Sequence, residues 1–234
     1  YIIDECIDAG IKKIIFIISN KKIMIKNYFY SDRFYKNLIK KKKDLRIIKE
    51  YKKLLKYKKI IKFVYQNVPK GTGDAVLKTK RFITDKYFLM LLPDDLIIKK
   101  NCSKSMINVH QKYKSSVMAS MQVNKSTVSR WGIYNLSKRL SKSDYLISDV
   151  VEKPSIKDAP SNKAVIGRYI LPKTIFKKLK NQNPGNGGEI HITDAIQSLI
   201  KDNEKFIAHN FSGKYLDCGT MNGYINSGKK ISNL

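Results

Sequence analysis

Cysteine, histidine, acidic residues and long apolar runs are all scarce in this sequence, and each scarcity excludes something. The three cysteines, Cys6, Cys102 and Cys218, are odd in number and widely spaced. That pattern argues against a disulfide framework and against a zinc site, and it suits a reducing cytoplasm. His110, His191 and His209 share no metal-ligand spacing and read as surface or packing residues. No apolar run approaches the ~20 residues of a membrane span, so no membrane partner is expected. The first ten residues carry acids rather than the basic stretch that opens a secretory leader, so a cytoplasmic location is expected.

Acids number only 19 against 47 Lys+Arg, which leaves a formal charge of +28. Such an excess invites a nucleic-acid reading, because cations release counterions from phosphates. Two features weigh against it. Arginine is the rare cation, with six residues, and the forked guanidinium is what base reading usually uses. The excess is also spread along the chain. Residues 36–62 hold twelve lysines and Arg46 against Asp44 and Glu50, yet the remainder is still strongly basic. Lysine filling solvent-facing positions accounts for this, and no specific nucleic-acid partner is expected.

What is present is the make-up of a globular domain: 42% hydrophobic and 10% aromatic residues in 234 positions. Helix-like and strand-like stretches alternate, which predicts an α/β fold with a mainly parallel sheet. Ile2, Ile3, Cys6 and Ile7 repeat at helical spacing before Gly10. Lys13–Ser19, Ile60–Tyr65 and Tyr87–Leu92 are short apolar runs that read as buried strands. Residues 32–58 read as a long Lys-rich helical region. Further strands are expected at 116–123, 132–136, 145–152 and 163–171, and helices at 21–29, 71–80, 103–113, 173–180 and 194–200, the last capped by Thr193. No repeat or Ser/Gly linker divides the chain, so one domain over 1–234 is expected.

Three loops follow strands and mix small and charged residues, the position where open α/β sheets gather ligands. In Gln66–Gly73 (QNVPKGTG), Gly71 and Gly73 allow close backbone approach, and the Gln66 amide offers a donor and an acceptor to a nucleobase edge. Pro93-Asp94-Asp95 places carboxylates at a strand end, where Mg²⁺ is held by one or two carboxylates and substrate oxygens. Val150–Pro154 (VVEKP) offers Glu152 to sugar hydroxyls and Lys153 to phosphate. Each loop alone also admits a plain structural reading: a connection, a capping pair or a surface ion pair.

Taken in order, QxxxKGxGxAV, LPDD, WGI, VVEKP, APSNxAxxGRY, PGxGGEIxITDAI, YLDCG and GY resemble the bacterial UTP–glucose-1-phosphate uridylyltransferases, or UDP-glucose pyrophosphorylases. The resemblance covers essentially all 234 residues. APSNKAVIGRY at 159–169 and PGNGGEIHITDAI at 184–196 are its most specific blocks. It implies a Rossmann-like nucleotidyltransferase fold, with a mixed, mainly parallel central sheet flanked by helices. It also implies a Mg²⁺-dependent in-line displacement, in which glucose 1-phosphate attacks the α-phosphorus of UTP and releases pyrophosphate. By the same resemblance, Gln66, Gly71 and Gly73 contact the uracil, Asp94 and Asp217 face the metal, and Gly132, Glu152 and Gly167 line the sugar. Lys153 meets the sugar phosphate and, with Asp94, is the catalytic candidate. Glu189 and Thr193 fall in a family block but read equally well as loop anchor and helix cap. A homodimer or homotetramer is implied too.

The sequence departs from the family pattern in four ways. The family opens with a strand and a GxGTRxxPxTKxxPK loop that cradles the triphosphate, and no such segment stands in these residues. The domain is therefore expected to lack its N-terminal strand and Gly-rich phosphate loop, leaving an apolar edge beside Lys13–Ser19. The sequence also stops just into the expected last helix. Asp74 stands where His is usual, and an Asp there is expected to repel phosphate and weaken the base loop. Trp131 stands where Tyr is usual. A related sugar-1-phosphate nucleotidyltransferase, or a catalytically incompetent fragment, is the alternative function.

Overall fold

The computed structural model describes residues 1–232. Its elements in chain order are α1 (Ile2–Asp8), β1 (Ile14–Ile18), α2 (Ile23–Tyr30), α3 (Asp32–Lys42), α4 (Leu45–Ile60), β2 (Ile61–Tyr65), α5 (Thr72–Leu77), β3 (Tyr87–Leu91), β4 (Asp95–Ile98) and α6 (Cys102–Tyr113). They continue with β5 (Ser116–Gln122), β6 (Gly132–Arg139), β7 (Asp144–Glu152), β8 (Lys163–Pro172), α7 (Ile175–Asn181), α8 (Ile192–Lys201), β9 (Phe206–Asn210), β10 (Lys214–Asp217) and α9 (Met221–Ser232). Among these residues no helix is long and apolar enough to cross a membrane.

The α/β class and the mixed sheet stand as expected, but the balance of strand directions does not. A six-stranded sheet runs in the order β3-β8-β5-β9-β7-β6. Only β5–β9 within it, and β1–β2 outside it, pair in parallel; β3–β8, β5–β8, β6–β7, β6–β8 and β7–β9 are antiparallel, as is β4–β10. The cause is connection length. The link from β6 to β7 is too short for a crossover and forces a hairpin. The ten-residue β8 then lies antiparallel against β3, β5 and β6.

β1 pairs with β2 alone, and β3 with β8 alone, among the described residues. Each of these two apolar strands therefore keeps one edge without a strand partner. β2, β4, β9 and β10 are short, and β4, β9 and β10 were not anticipated from the sequence; FIAHN and KYLD alternate too little to signal strands.

Two helical expectations are corrected. The 32–58 region is two helices, broken at Lys43, whose backbone is left-handed (φ 48°), and at Asp44, whose carboxylate accepts from the Arg46 amide at 2.8 Å and caps α4. Thr193 does not cap α8. It lies inside the helix, and the Ile192 amide at the helix start donates instead to Thr72 Oγ1, 3.2 Å away on α5. A cap delivered across the fold leaves no local signature.

The main core lies between the sheet and α5, α7 and α8, with Tyr134, Ile175, Phe176, Ile196, Leu199 and Phe206 at its centre. A second cluster packs α6 on the opposite face through Cys102, Met106, Val117 and Ile166. His209 is a packing residue in this sense: its ring bridges Asp144 Oδ1 at 2.7 Å and Ser105 Oγ at 3.1 Å, tying β9 to β7 and α6.

Candidate active site

The ladder between β3 and β8 runs one residue beyond β3, as the Leu92 amide donates to the Gly167 carbonyl at 2.8 Å. Pro93 has no N–H to continue it, so the chain turns and Asp94 faces solvent before β4 begins. β10 returns antiparallel to β4 with Asp217 opposite Asp95. The Cys218 amide donates to the Asp94 carbonyl at 2.7 Å, and the Gly219 amide to Asp217 Oδ1 at 2.8 Å. The two carboxylates converge at Gly219: a Cβ there would stand 3.0 Å from Asp94 Oδ2 and 3.3 Å from Asp217 Oδ1. Among the described residues no third acid, histidine or cysteine joins them.

Asp95, the second carboxylate of that turn, knots this mouth to the next strand. Its Oδ2 accepts from the Gly167 amide at 2.7 Å, and its Oδ1 accepts from the Tyr215 hydroxyl. Burial pushes its carboxyl above the usual range; the Tyr215 and Gly167 donors oppose that rise, and the Asp94 charge adds to it. Gly167 is required here, since a Cβ would meet Asp95 Oδ2 and Leu92 at 2.6 Å. A third tie comes from Arg168, fully buried, whose Nη1 donates to the Leu92 carbonyl at 3.1 Å. Its Nη2 pairs with Glu5 Oε2 on α1 at 2.9 Å.

The residues that the resemblance sets at the sugar gather where β6 meets β7. Gly132 and Glu152 are direct cross-strand partners, and a Cβ on Gly132 would stand 3.1 Å from Glu152 Oε2. The Lys153 amide donates to the Trp131 carbonyl at 3.0 Å, and Lys153 itself has φ 46°, a left-handed backbone that a non-glycine residue rarely adopts. The Trp131 and Tyr215 rings pack edge-on with centroids 5.8 Å apart. That contact links the start of β6 to the acid pair through Asp95.

The loop 66–73, expected to meet the base, leads into α5. Gly71 and Gly73 press against the backbone of Ile190: added Cβ atoms would meet its carbonyl at 2.5 and 2.8 Å, and the Gly73 amide already donates to that carbonyl at 2.7 Å. Their bareness thus serves packing against the 188–192 segment. Asp74, expected to repel phosphate, points into the fold. It is 6% exposed, accepts from Gln66 Nε2 at 2.8 Å, and lies 3.6 Å from Lys78 Nζ. Glu189 is half-buried, its carbonyl accepting from the Gly185 amide. The base loop reaches the other groups through the core, where Val76 of α5 shares a cluster with Tyr134, Val150 and Tyr169.

Arg168, Glu5 and Tyr215 are the residues of this network that no motif singles out. Two of them still carry a signal: Arg168 is the Arg of GRY, beside the glycine already named. Glu5 is a charged residue on the apolar face of IIDECID, which is itself a sign of a buried partner.

Comparison with known proteins places this geometry. A family model described as nucleotidyl transferase matches residues 1–233. The UTP–glucose-1-phosphate uridylyltransferase of Pseudomonas aeruginosa is 34% identical over 228 residues, which is 96% of this chain and 81% of that protein. The enzyme of the same name from Mycoplasma genitalium is 33% identical over 227 residues, 96% of this chain and 77% of its own. A solved UDP-glucose pyrophosphorylase in complex with UDP-glucose covers 100% of this chain and 85% of its own at 33% identity, with a TM-score of 0.85. A UTP-bound UGPase from Acinetobacter baumannii reaches a TM-score of 0.88 at 29% identity, covering 99% of this chain and 80% of its own. With a nucleotidyltransferase sheet, a convergent acid pair and near-complete coverage by such relatives, the chain belongs to the UTP–glucose-1-phosphate uridylyltransferase family.

Proposed function

We propose that Asp94, Asp217, Glu152 and Lys153 form the working centre for making UDP-glucose and pyrophosphate from UTP and glucose 1-phosphate. The observation that carries this reading is the convergence of Asp94 and Asp217 on the space beside Gly219, which a side chain would fill. Two carboxylate oxygens facing one such space fit Mg²⁺, which takes one or two protein carboxylates and completes its shell with phosphate oxygens and water. When bound, the ion would neutralise charge on the phosphates.

The chain's own groups supply positioning. The Lys153 ammonium holds the sugar phosphate, Glu152 accepts sugar hydroxyls beside Gly132, and Gly167 lies in the strand that closes over the sugar. Gln66 meets the base. A phosphate oxygen of glucose 1-phosphate then forms its bond to the α-phosphorus of UTP, and pyrophosphate leaves with the electron pair of the broken bond. No covalent protein intermediate is needed; proximity and charge stabilisation carry the rate. We place the reaction in the cytoplasm, in a homodimer or homotetramer.

Asp94→Ala and Lys153→Ala test the reading, with pyrophosphate release as the readout. Each is expected to lower the rate on the order of 100-fold or more. Retention of more than about a tenth of the rate by Asp94→Ala would remove that residue from the centre.

A second reading is favoured by one observation, the edges of β1 and β3 that have no strand partner among the described residues. They support a single domain, 1–234, that binds substrates but turns over slowly. Turnover by this chain equal to that of a family member carrying the Gly-rich phosphate loop would exclude it.

A further inference from the structure

The base loop contains a polar contact that the reaction itself does not require. Gln66 Nε2 stands 2.8 Å from Asp74 Oδ2 and 3.1 Å from the Gly71 carbonyl. Both neighbours accept. A backbone carbonyl has no proton to give, and a carboxylate lying 3.6 Å from the Lys78 ammonium accepts rather than donates. Turning the amide over would set Oε1 against both oxygens at a position where Asp74 is 6% exposed. The orientation of Gln66 is therefore dictated by its surroundings.

The loop has no freedom to relax around a turned amide. Ile190 clamps it from both sides, accepting from the Gly73 amide at 2.7 Å and donating to the Lys70 carbonyl at 2.9 Å, and neither Gly71 nor Gly73 has room for even a Cβ. What remains for a ligand is Oε1, which takes no hydrogen bond among the described residues.

We infer that Asp74 is a specificity-determining positioning residue: by holding the Gln66 amide nitrogen inward, it presents an acceptor and selects nucleotides whose pyrimidine carries an imide N–H. Uracil and thymine have that N3–H donor. Cytosine carries a bare N3 acceptor there, and two acceptors facing each other leave both unpaired. The inference rests on the reading of Gln66 as the base-facing residue. Asp74 acts through Gln66 and touches no substrate.

The test is a comparison of affinities for UDP-glucose, dTDP-glucose and CDP-glucose by calorimetry on the whole chain, with thermal unfolding as a check on folding. The wild type is expected to favour UDP-glucose over CDP-glucose, with dTDP-glucose following UDP-glucose. In Asp74→Ala only the Gly71 carbonyl still prefers the inward nitrogen, so the ratio falls. In Asp74→Asn the new amide donor rewards the turned Gln66, and the ratio falls further, by about tenfold or more from the wild type. Lys78→Ala keeps the Asp74 acceptor and is expected to keep the ratio.

An unchanged ratio in both Asp74 variants, or equal weakening of all three ligands, overturns the inference, because a merely structural Asp74 would not distinguish bases. If Gln66→Ala leaves every affinity and the ratio untouched, or the wild type binds no UDP-glucose, it is the base-site reading of Gln66 that fails instead.

Discussion

Arg168 and Glu5 allow the sharpest test of how the site is held. The Arg168 guanidinium is 0% exposed and makes four hydrogen bonds: Nε and Nη2 to Glu5 at 3.2 and 2.9 Å, and Nη1 to the carbonyls of Leu92 and Gly167 at 3.1 and 3.3 Å. Glu5 in turn accepts from the Ser103 amide and hydroxyl at 3.1 and 2.5 Å. Arg168→Met removes one charge and leaves Glu5 with Ser103 alone. Breaking a buried pair from one side costs about 3–5 kcal/mol. That is a large share of the ~5–15 kcal/mol of a typical domain, and it corresponds to a fall in Tm of about 10 °C at this chain length. Glu5→Gln keeps its acceptor oxygen but sets an amide donor against Nη2, losing one hydrogen bond to a charged group, about 1.5–3 kcal/mol. The double variant Glu5→Leu/Arg168→Met removes both charges, so its stability is expected to recover most of the Arg168→Met loss. Activity is not expected to recover, because the tie to Leu92, two residues before Asp94, is gone in both. Urea unfolding followed by fluorescence, paired with pyrophosphate release, gives both quantities. A cost below about 1 kcal/mol for Arg168→Met, or a double variant no more stable than Arg168→Met, would refute the reasoning.

Three further outcomes are expected. Burial pushes the thiols of Cys6 and Cys102 up, to about 11 and about 12, with the Glu5 charge adding to the rise and Arg168 opposing it. A maleimide should therefore label Cys218 alone in the native chain, and fast labelling of a second thiol counts against the packing described. Gly73→Ala drives a Cβ to 2.8 Å from the Ile190 carbonyl and should cost about 1–3 kcal/mol in urea unfolding, with base affinity falling in step. Asp4 is held below the usual carboxylate range: burial raises it, but donors from Tyr57 and Lys53 outweigh that. The stability it adds between α1 and α4 is present above the unfolded value and is lost as pH falls through the folded one. The urea-midpoint gap between wild type and Asp4→Asn should thus close between about pH 5 and pH 2; a constant gap contradicts the assignment.

Local chemistry made part of this molecule legible in its sequence. KIIFIIS, IKFVY and YFLML are strands because short β-branched and aromatic runs pack on both faces, and nothing in them forms a helical stripe. The acids and glycines of the site stood in motifs, so their places could be named. What could not be read depends on register. Glu5 and Arg168 lie 163 residues apart, and no local pattern announces their pairing. Asp74 shows the same limit at short range. Near a bound nucleotide an Asp suggests repulsion of phosphate, yet its carboxylate turns inward to Gln66, eight residues back. The Lys43–Asp44 break was hidden because lysine, rather than glycine, occupies the left-handed position.

Lys43, Lys99, Lys114 and Lys153 all have positive φ, at 48°, 72°, 53° and 46°. The first and third sit just past the ends of α3 and α6, where glycine is the customary residue. Glycine at any of the four would relieve a backbone cost of about 1 kcal/mol. At three of them no side-chain hydrogen bond or ion pair among the described residues is given up. At the fourth, the same change deletes the ammonium on which the proposed chemistry depends. A library of this chain sorted only for thermal survival should therefore enrich glycine at all four positions and discard its most active members at one of them. Sorting the same library for turnover should keep lysine at 153 and let the other three go.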